Sequence, residues 1–128
     1  MTKVKEVLTC ENAPKAVGPY SVGIRSGDFL FLSGQLGIDP ATGKFAPGGV
    51  EEQTHQALTN IKAVLEENGA GLSDVVKTSV FLKDINDFLN MNAVYATFFE
   101  SAPPARSAMQ VGALPLGGLV EIEVVVRI

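Results

Sequence analysis

The chain has 128 residues, 46% apolar and 19% charged, a balance that suits one compact domain with a real core and excludes intrinsic disorder. Its formal charge of −4 and its singly scattered Lys and Arg argue against nucleic acid as the main partner, because phosphate contacts need clustered cations. No apolar run approaches the roughly 18–20 residues of a membrane-spanning helix, so no membrane partner is expected either.

The stretch from Met1 to Pro14 has neither a long apolar segment nor a small-residue cleavage pattern, so no secretion signal is expected. Cys10 is the single cysteine; it cannot close an internal disulfide and fits a reducing cytosol, which makes a cytoplasmic location the expectation. With one His and one Cys, 45 positions apart, no zinc or iron site is expected. Composition thus points to a domain spanning 1–128 that acts on something small or on copies of itself.

Tyr20 to Ser26 and Asp28 to Ser33 read as two short strands joined by a turn at Ser26-Gly27-Asp28. The segment Ser33-Gly34-Gln35-Leu36-Gly37 reads as a bulge or turn, or as a place where a ligand approaches a backbone N–H. It lacks the spacing of a dinucleotide loop, so no nucleotide cofactor is expected. Asp39-Pro40-Ala41-Thr42-Gly43 is a turn signal.

From Val50 to Asn68 the apolar period becomes helical, with Leu58, Ile61, Leu65 and Asn68 on or near one face. Glu51 and Glu52 occupy the first turn, where carboxylates suit the helix dipole, and Gly69 closes the helix. Val75 to Lys83 reads as a strand whose Val76, Thr78, Val80 and Leu82 share one face. Asp84 then caps a second helix, with Asp87 at capping-box spacing. That helix presents Ile85, Phe88, Leu89, Asn92, Tyr95 and Phe99, and Pro103-Pro104 ends it. Strands at Arg106 to Val111 and Leu119 to Arg127 complete the chain, separated by Pro115 and Gly117-Gly118.

The order is roughly β-β-β-α-β-α-β-β, an α+β arrangement with a mixed sheet and two helices on one face. Yet several strands are apolar on both faces: Phe29 and Phe31 oppose Leu30 and Leu32, Phe81 opposes Val80 and Leu82, and Val125 opposes Val124 and Val126. The chain has no third helix to cover the second face. Copies of the chain are expected to cover it, in a closed cyclic oligomer.

Arg106 follows Pro103-Pro104-Ala105 at the head of an otherwise uncharged strand. It reads either as an exposed strand-start arginine or as an anion anchor, since a guanidinium matches a carboxylate with two parallel bonds. Glu121 and Glu123 share one face of the last strand, either as solvated carboxylates or with Glu121 turned into a cleft as general acid or base. Tyr20 reads as a half-buried strand tyrosine or as a side chain aimed by the rigid Gly18-Pro19 step. Asn92, on the apolar helix face, needs a hydrogen-bonding partner. His55 reads as solvated and Cys10 as a passive thiol.

These residues together resemble the RidA family, reactive intermediate deaminase A, also called the YjgF family. The resemblance covers nearly the whole chain. It rests on Ala13-Pro14-Lys15-Ala16-Val17-Gly18-Pro19-Tyr20-Ser21, Ser33-Gly34-Gln35-Leu36-Gly37, Asp39-Pro40-Ala41-Thr42-Gly43, Asn90-Met91-Asn92-Ala93-Val94-Tyr95, Pro104-Ala105-Arg106-Ser107-Ala108, Leu114-Pro115 and Glu121-Ile122-Glu123. Each motif alone is weak, and their order and spacing together are strong.

The resemblance implies a chorismate-mutase-like fold of the bacillary type, assembled as a homotrimer around a central β-barrel with ligand clefts between subunits. It implies hydrolysis of 2-iminobutanoate and 2-iminopropanoate, released by pyridoxal-phosphate-dependent dehydratases, to 2-keto acids, with no metal or organic cofactor. In that reading Arg106 grips the substrate carboxylate and Glu121 positions or activates the attacking water. Tyr20, Ser33 and Asn92 line the pocket, and the N–H groups of Gly34 and Ala108 serve as donors. Many bacterial members carry Cys where Ala108 stands; alanine keeps a backbone role and loses a thiol role. Two other readings stay open: a non-catalytic trimer that binds small carboxylates, and an RNA-acting or translation-inhibiting protein, which the acidic balance disfavours.

Overall fold

The computed structural model describes residues 4–128. Nine strands and two helices form a mixed seven-stranded sheet, a separate two-stranded hairpin and a helical layer on one sheet face. The two-residue strand β1 (Glu6–Val7) edges β2 (Gly23–Ser26), which pairs antiparallel with β3 (Phe29–Leu32). The expected strand from Tyr20 therefore begins only at Gly23. Beyond Ser33 and Gly34 the chain pairs again, as β4 (Gln35–Leu36), so the segment read as a bulge or turn contains a short strand. Around the expected turn, β5 (Ile38–Asp39) and β6 (Lys44–Phe45) make the separate hairpin.

Helix α1 (Val50–Glu67) lies where its periodicity predicts it, and the Ala70 N–H closes it onto the Leu65 carbonyl at 2.8 Å, just past Gly69. Three polar residues, Gln53, Thr54 and Asn60, are buried on this helix and were not expected there. Two of them fasten it: Asn60 Nδ2 donates to the Ile38 carbonyl at 2.9 Å, and Gln53 Oε1 accepts from the Leu119 N–H at 2.9 Å. Gly37 allows the close approach, since a Cβ there would sit 2.5 Å from both Cα and O of Gln53.

β7 (Val75–Leu82), α2 (Phe88–Phe98) and β8 (Ala105–Gln110) form a strand–helix–strand unit in which β7 and β8 run parallel. A register shift between Val75 and Lys77 puts Val75 in the core and leaves Val76 exposed, contrary to strict alternation. The second helix also differs from expectation at its start. Asp84 accepts from the Asn86 N–H at 2.9 Å, but it caps a short 3₁₀ turn at Ile85–Asp87, and α2 begins only at Phe88. The offset turns Ile85 and Leu89 outward and Met91 into the core, beside Tyr95 and Phe99. The last strand, β9 (Val120–Arg127), is the sheet's centre, flanked by β3 and β4 on one side and β7 on the other.

Alternation along β9 divides the sheet as expected. Val120, Ile122, Val124 and Val126 are buried beneath the helices with Leu30, Leu32, Val80 and Leu82. The opposite face carries Glu121, Glu123 and Val125 together with Phe29 and Phe31, which are 40% and 47% exposed. No helix of the described chain covers that face, and none is long and apolar enough to cross a membrane.

Gly37→Ala tests how tightly helix and sheet are pressed together. The added methyl meets helix backbone rather than a movable side chain, so thermal denaturation is expected to show a loss of about 1–3 kcal/mol. An unchanged melting temperature would contradict the close approach.

Candidate functional site

The candidate residues fall into two groups on opposite faces of the sheet. On the helix-covered face, Arg106 sits directly opposite Thr78 in the β7–β8 register and reaches toward α2. Its Nη1 donates to Asn92 Oδ1 at 2.7 Å. Its guanidinium carbon lies 5.3 Å from the Phe88 ring centre and 4.8 Å from that of Tyr95. Asn92 thus finds the partner its place on the helix face demands. The acceptor is a neutral amide, so that contact leaves the positive charge of Arg106 uncompensated, with further N–H donors on the planar fork. Ala108, two residues on, shares this face and packs partly buried against the core.

The second group lies on the other face. A cleft of about 500 Å³ opens between the segment from Pro14 to Val22, strand β4 and the turn at Pro115–Leu116, and Tyr20, Gly34 and Glu121 all line it. Glu121 packs closely over Gly34: a Cβ there would lie 2.8 Å from the carboxyl carbon of Glu121, which would have to shift. Burial raises the pKa of Glu121 above the usual carboxylate range, and repulsion from Glu123 on the same face adds to the rise. A carboxyl held this way exchanges a proton closer to neutrality than a solvated one does. Leu116 forms part of the cleft rim with φ at +59°, a left-handed conformation unusual for leucine.

Ser33 is not among the cleft-lining residues. Its hydroxyl donates to the Ser21 carbonyl at 2.6 Å and its N–H to the Val22 carbonyl at 3.0 Å, so it ties the strand end to the segment that carries Tyr20. The two groups expected to converge, Arg106 and Glu121, do not meet within one chain. Strand alternation places them on opposite faces of one sheet.

His55 is exposed, with its ring edge-on to Phe98 at 5.3 Å. Cys10 Sγ donates to Glu67 Oε2 at 2.7 Å, and burial together with that carboxylate pushes the thiol up to about 11, a passive thiol as expected. Among the described residues no three His, Cys, Asp or Glu side chains cluster as a metal site. Two features escaped the sequence reading. Phe88 and Tyr95, placed there only on an apolar face, flank the arginine, and Gln53 and Asn60 brace the strands beside the cleft.

The profile of the endoribonuclease L-PSP family matches residues 10–128. A RutC family protein of Pyrococcus horikoshii is 52% identical over 122 residues, covering 95% of this chain and 97% of that one. The bovine protein named 2-iminobutanoate/2-iminopropanoate deaminase is 49% identical over 122 residues, covering 95% of this chain and 89% of its own length. The crystal structure of a protein described as a putative endoribonuclease L-PSP, from Entamoeba histolytica, superposes with a TM-score of 0.95 at 43% identity, covering 98% of this chain and all of that one.

The raised pKa of Glu121 has a consequence for stability. Its folded-state pKa exceeds its unfolded one, so the ionised carboxyl weakens the fold as pH rises through the folded value. The melting temperature of Glu121→Gln relative to the unmodified chain is therefore expected to increase from about pH 4 to about pH 8. A difference that stays flat would mark a solvated carboxyl and one that falls an ionised form stabilised by the fold, and either would contradict the raised pKa.

Proposed function

The chain belongs to the endoribonuclease L-PSP family, the family also called RidA or YjgF, and on that premise we propose that it is an imine deaminase. Its substrates are short 2-imino acids such as 2-iminobutanoate and 2-iminopropanoate, by-products of pyridoxal-phosphate-dependent dehydratases, which it hydrolyses to 2-keto acids and ammonia in the cytoplasm. The bovine relative named for that reaction, at 49% identity, supports the chemistry.

The observation that carries the reading is the division of the candidate residues between two sheet faces. An aromatic-flanked guanidinium stands on one face and a carboxyl in a cleft on the other. One chain supplies each half, and neither half alone suffices. A homotrimer resolves this, with Arg106, Asn92 and Ala108 of one subunit meeting Tyr20, Gly34 and Glu121 of the next. Three copies arranged around a central barrel also cover Phe29 and Phe31, which a lone chain leaves in water.

In such a cleft Arg106 holds the substrate carboxylate by a charge-assisted pair, which contributes about 1.5–3 kcal/mol. A water adds to the imine carbon while Glu121 takes one of its protons. Glu121 passes that proton to the imine nitrogen to give the carbinolamine, which collapses as the hydroxyl proton moves by way of Glu121 to the amine, the C–N bond breaks, and ammonia leaves behind the keto group. Imine and water are consumed, keto acid and ammonia are formed, and no redox partner is needed. Proton transfer of this kind contributes about 10²–10⁴ in rate. Free imines already hydrolyse in water, so no stronger nucleophile is required.

The test is a threonine dehydratase reaction in which release of 2-ketobutanoate is followed with and without this protein. The protein is expected to speed release beyond the spontaneous rate. Arg106→Ala is expected to raise KM more than tenfold, and Glu121→Gln to lower kcat by about 10²-fold or more while sparing 2-ketobutanoate binding. Equal activity in all three proteins would reject the site. Binding of 2-ketobutanoate without turnover would make the protein a carboxylate-binding module, and salt-sensitive RNA cleavage by repurified protein would favour the nuclease reading.

A further inference from the structure

An anchoring arginine works only if its fork is held still, since a free Arg side chain loses substantial rotamer entropy on ordering. Around Arg106 the holding groups come from one stripe of α2, where Phe88, Asn92 and Tyr95 follow one another at helical spacing. Asn92 fixes one edge of the guanidinium, and the two rings lie at 5.3 and 4.8 Å. Tyr95 differs from Phe88 in how it is itself secured. Its ring is only 6% exposed and packs against Phe99 with centres 4.8 Å apart. Its hydroxyl makes a buried hydrogen bond of 2.8 Å with Thr78 Oγ1. Thr78 is fully buried on β7 and is the residue registered directly opposite Arg106 on β8. The contacts close a triangle: strand to strand, strand to helix, and helix ring back to guanidinium.

We propose that Tyr95, tethered by Thr78, is the positioning residue that sets the place and direction of the Arg106 guanidinium and so the tightness of the carboxylate grip. The inference rests on the reading of Arg106 as an anchor, but the tether itself can be tested without turnover. Burial raises the Tyr95 phenol above its ordinary range, so it stays neutral and hydrogen-bonded near neutral pH. The ring provides a cation–π surface, and the hydroxyl provides the attachment that keeps the surface in register with the strand.

Three variants separate these parts. Thr78→Val removes the tether in nearly the same volume, Thr78→Ser restores a hydroxyl, and Tyr95→Leu removes the ring. The first readout is the side-chain Nε–H resonance of Arg106 in isotope-labelled protein, assigned through Arg106→Lys, which the neighbouring rings shift from its free position. The second is the dissociation constant for 2-ketobutanoate, and the third is the split between KM and kcat.

Thr78→Val is expected to move the Arg106 resonance toward its free position. It should also weaken 2-ketobutanoate binding and raise KM by about three- to tenfold, with kcat changed less than twofold. Thr78→Ser should return all three toward the unmodified values, and Tyr95→Leu should exceed Thr78→Val in each. An unmoved Arg106 resonance in Thr78→Val and Tyr95→Leu would overturn the proposal. So would parallel losses of kcat and KM that Thr78→Ser fails to rescue, because they mark a purely structural role. If the unmodified protein turns over no imine while the resonance responds as described, the deaminase reading fails and the positioning role stands.

Discussion

Neighbouring residues on a β-strand point to opposite faces, and that two-residue period governs where chemistry can form in this chain. On the strands that carry Arg106 and Glu121, one face lies on the helix side, fully buried along β9 and partly along β8, and the other is open. Arg106 shares the helix-side face with Thr78 and Val80, and Glu121 shares the open face with Phe81 and Glu123. No rotamer carries either group through a hydrogen-bonded sheet. Slipping a strand by one residue would bring them together, but it would turn Ile122, Val124 and Val126 into water and Glu123 into the core. The core therefore enforces the separation of the two groups within one chain.

The same separation gives each half-site its own electrostatics. The arginine rests on aromatic faces and a neutral amide, which orient it without cancelling its charge. The glutamate packs over Gly34 in a largely apolar cleft beside a second carboxylate, which raises its pKa. Had the two stood side by side in one chain, they would have formed an ordinary ion pair with a lowered carboxyl pKa and a neutralised guanidinium. On separate faces of one chain, the guanidinium keeps an uncancelled charge and the carboxyl keeps its raised pKa.

Much of the fold was legible because its signals are local. The period of α1, its stop at Gly69 and the alternation of β9 each follow from residues close in sequence. The losses came where tertiary packing overrode pattern. The irregularity at Val76 moved a valine out of the core, and the 3₁₀ turn after Asp84 rotated α2 so that Met91 replaced Leu89 inside. Gln53 and Asn60 look like surface residues in sequence but are buried because strand and loop backbone groups need their hydrogen bonds. Near the candidate site, the uncovered sheet face was legible from strands that are apolar on both faces. The bond from the Ser33 hydroxyl to the Ser21 carbonyl was not legible, since nothing local reveals that Ser21 offers it. The cradle of Phe88 and Tyr95 was hidden because an aromatic stripe on a helix looks the same whether it fills a core or seats a cation.

The central claim is that Arg106 of one subunit and Glu121 of another complete each cleft, and mixing two inactive variants tests it most directly. Arg106→Ala and Glu121→Gln chains, unfolded together and refolded as mixed oligomers, are expected to regain imine hydrolysis. About a quarter of the clefts in a random mixture would join an intact arginine to an intact glutamate, so recovery toward about a quarter of the unmodified activity is the predicted result. Mixed oligomers of verified composition that stay as inactive as the separately refolded variants would contradict the claim, since they would place both groups of each working site in the same chain.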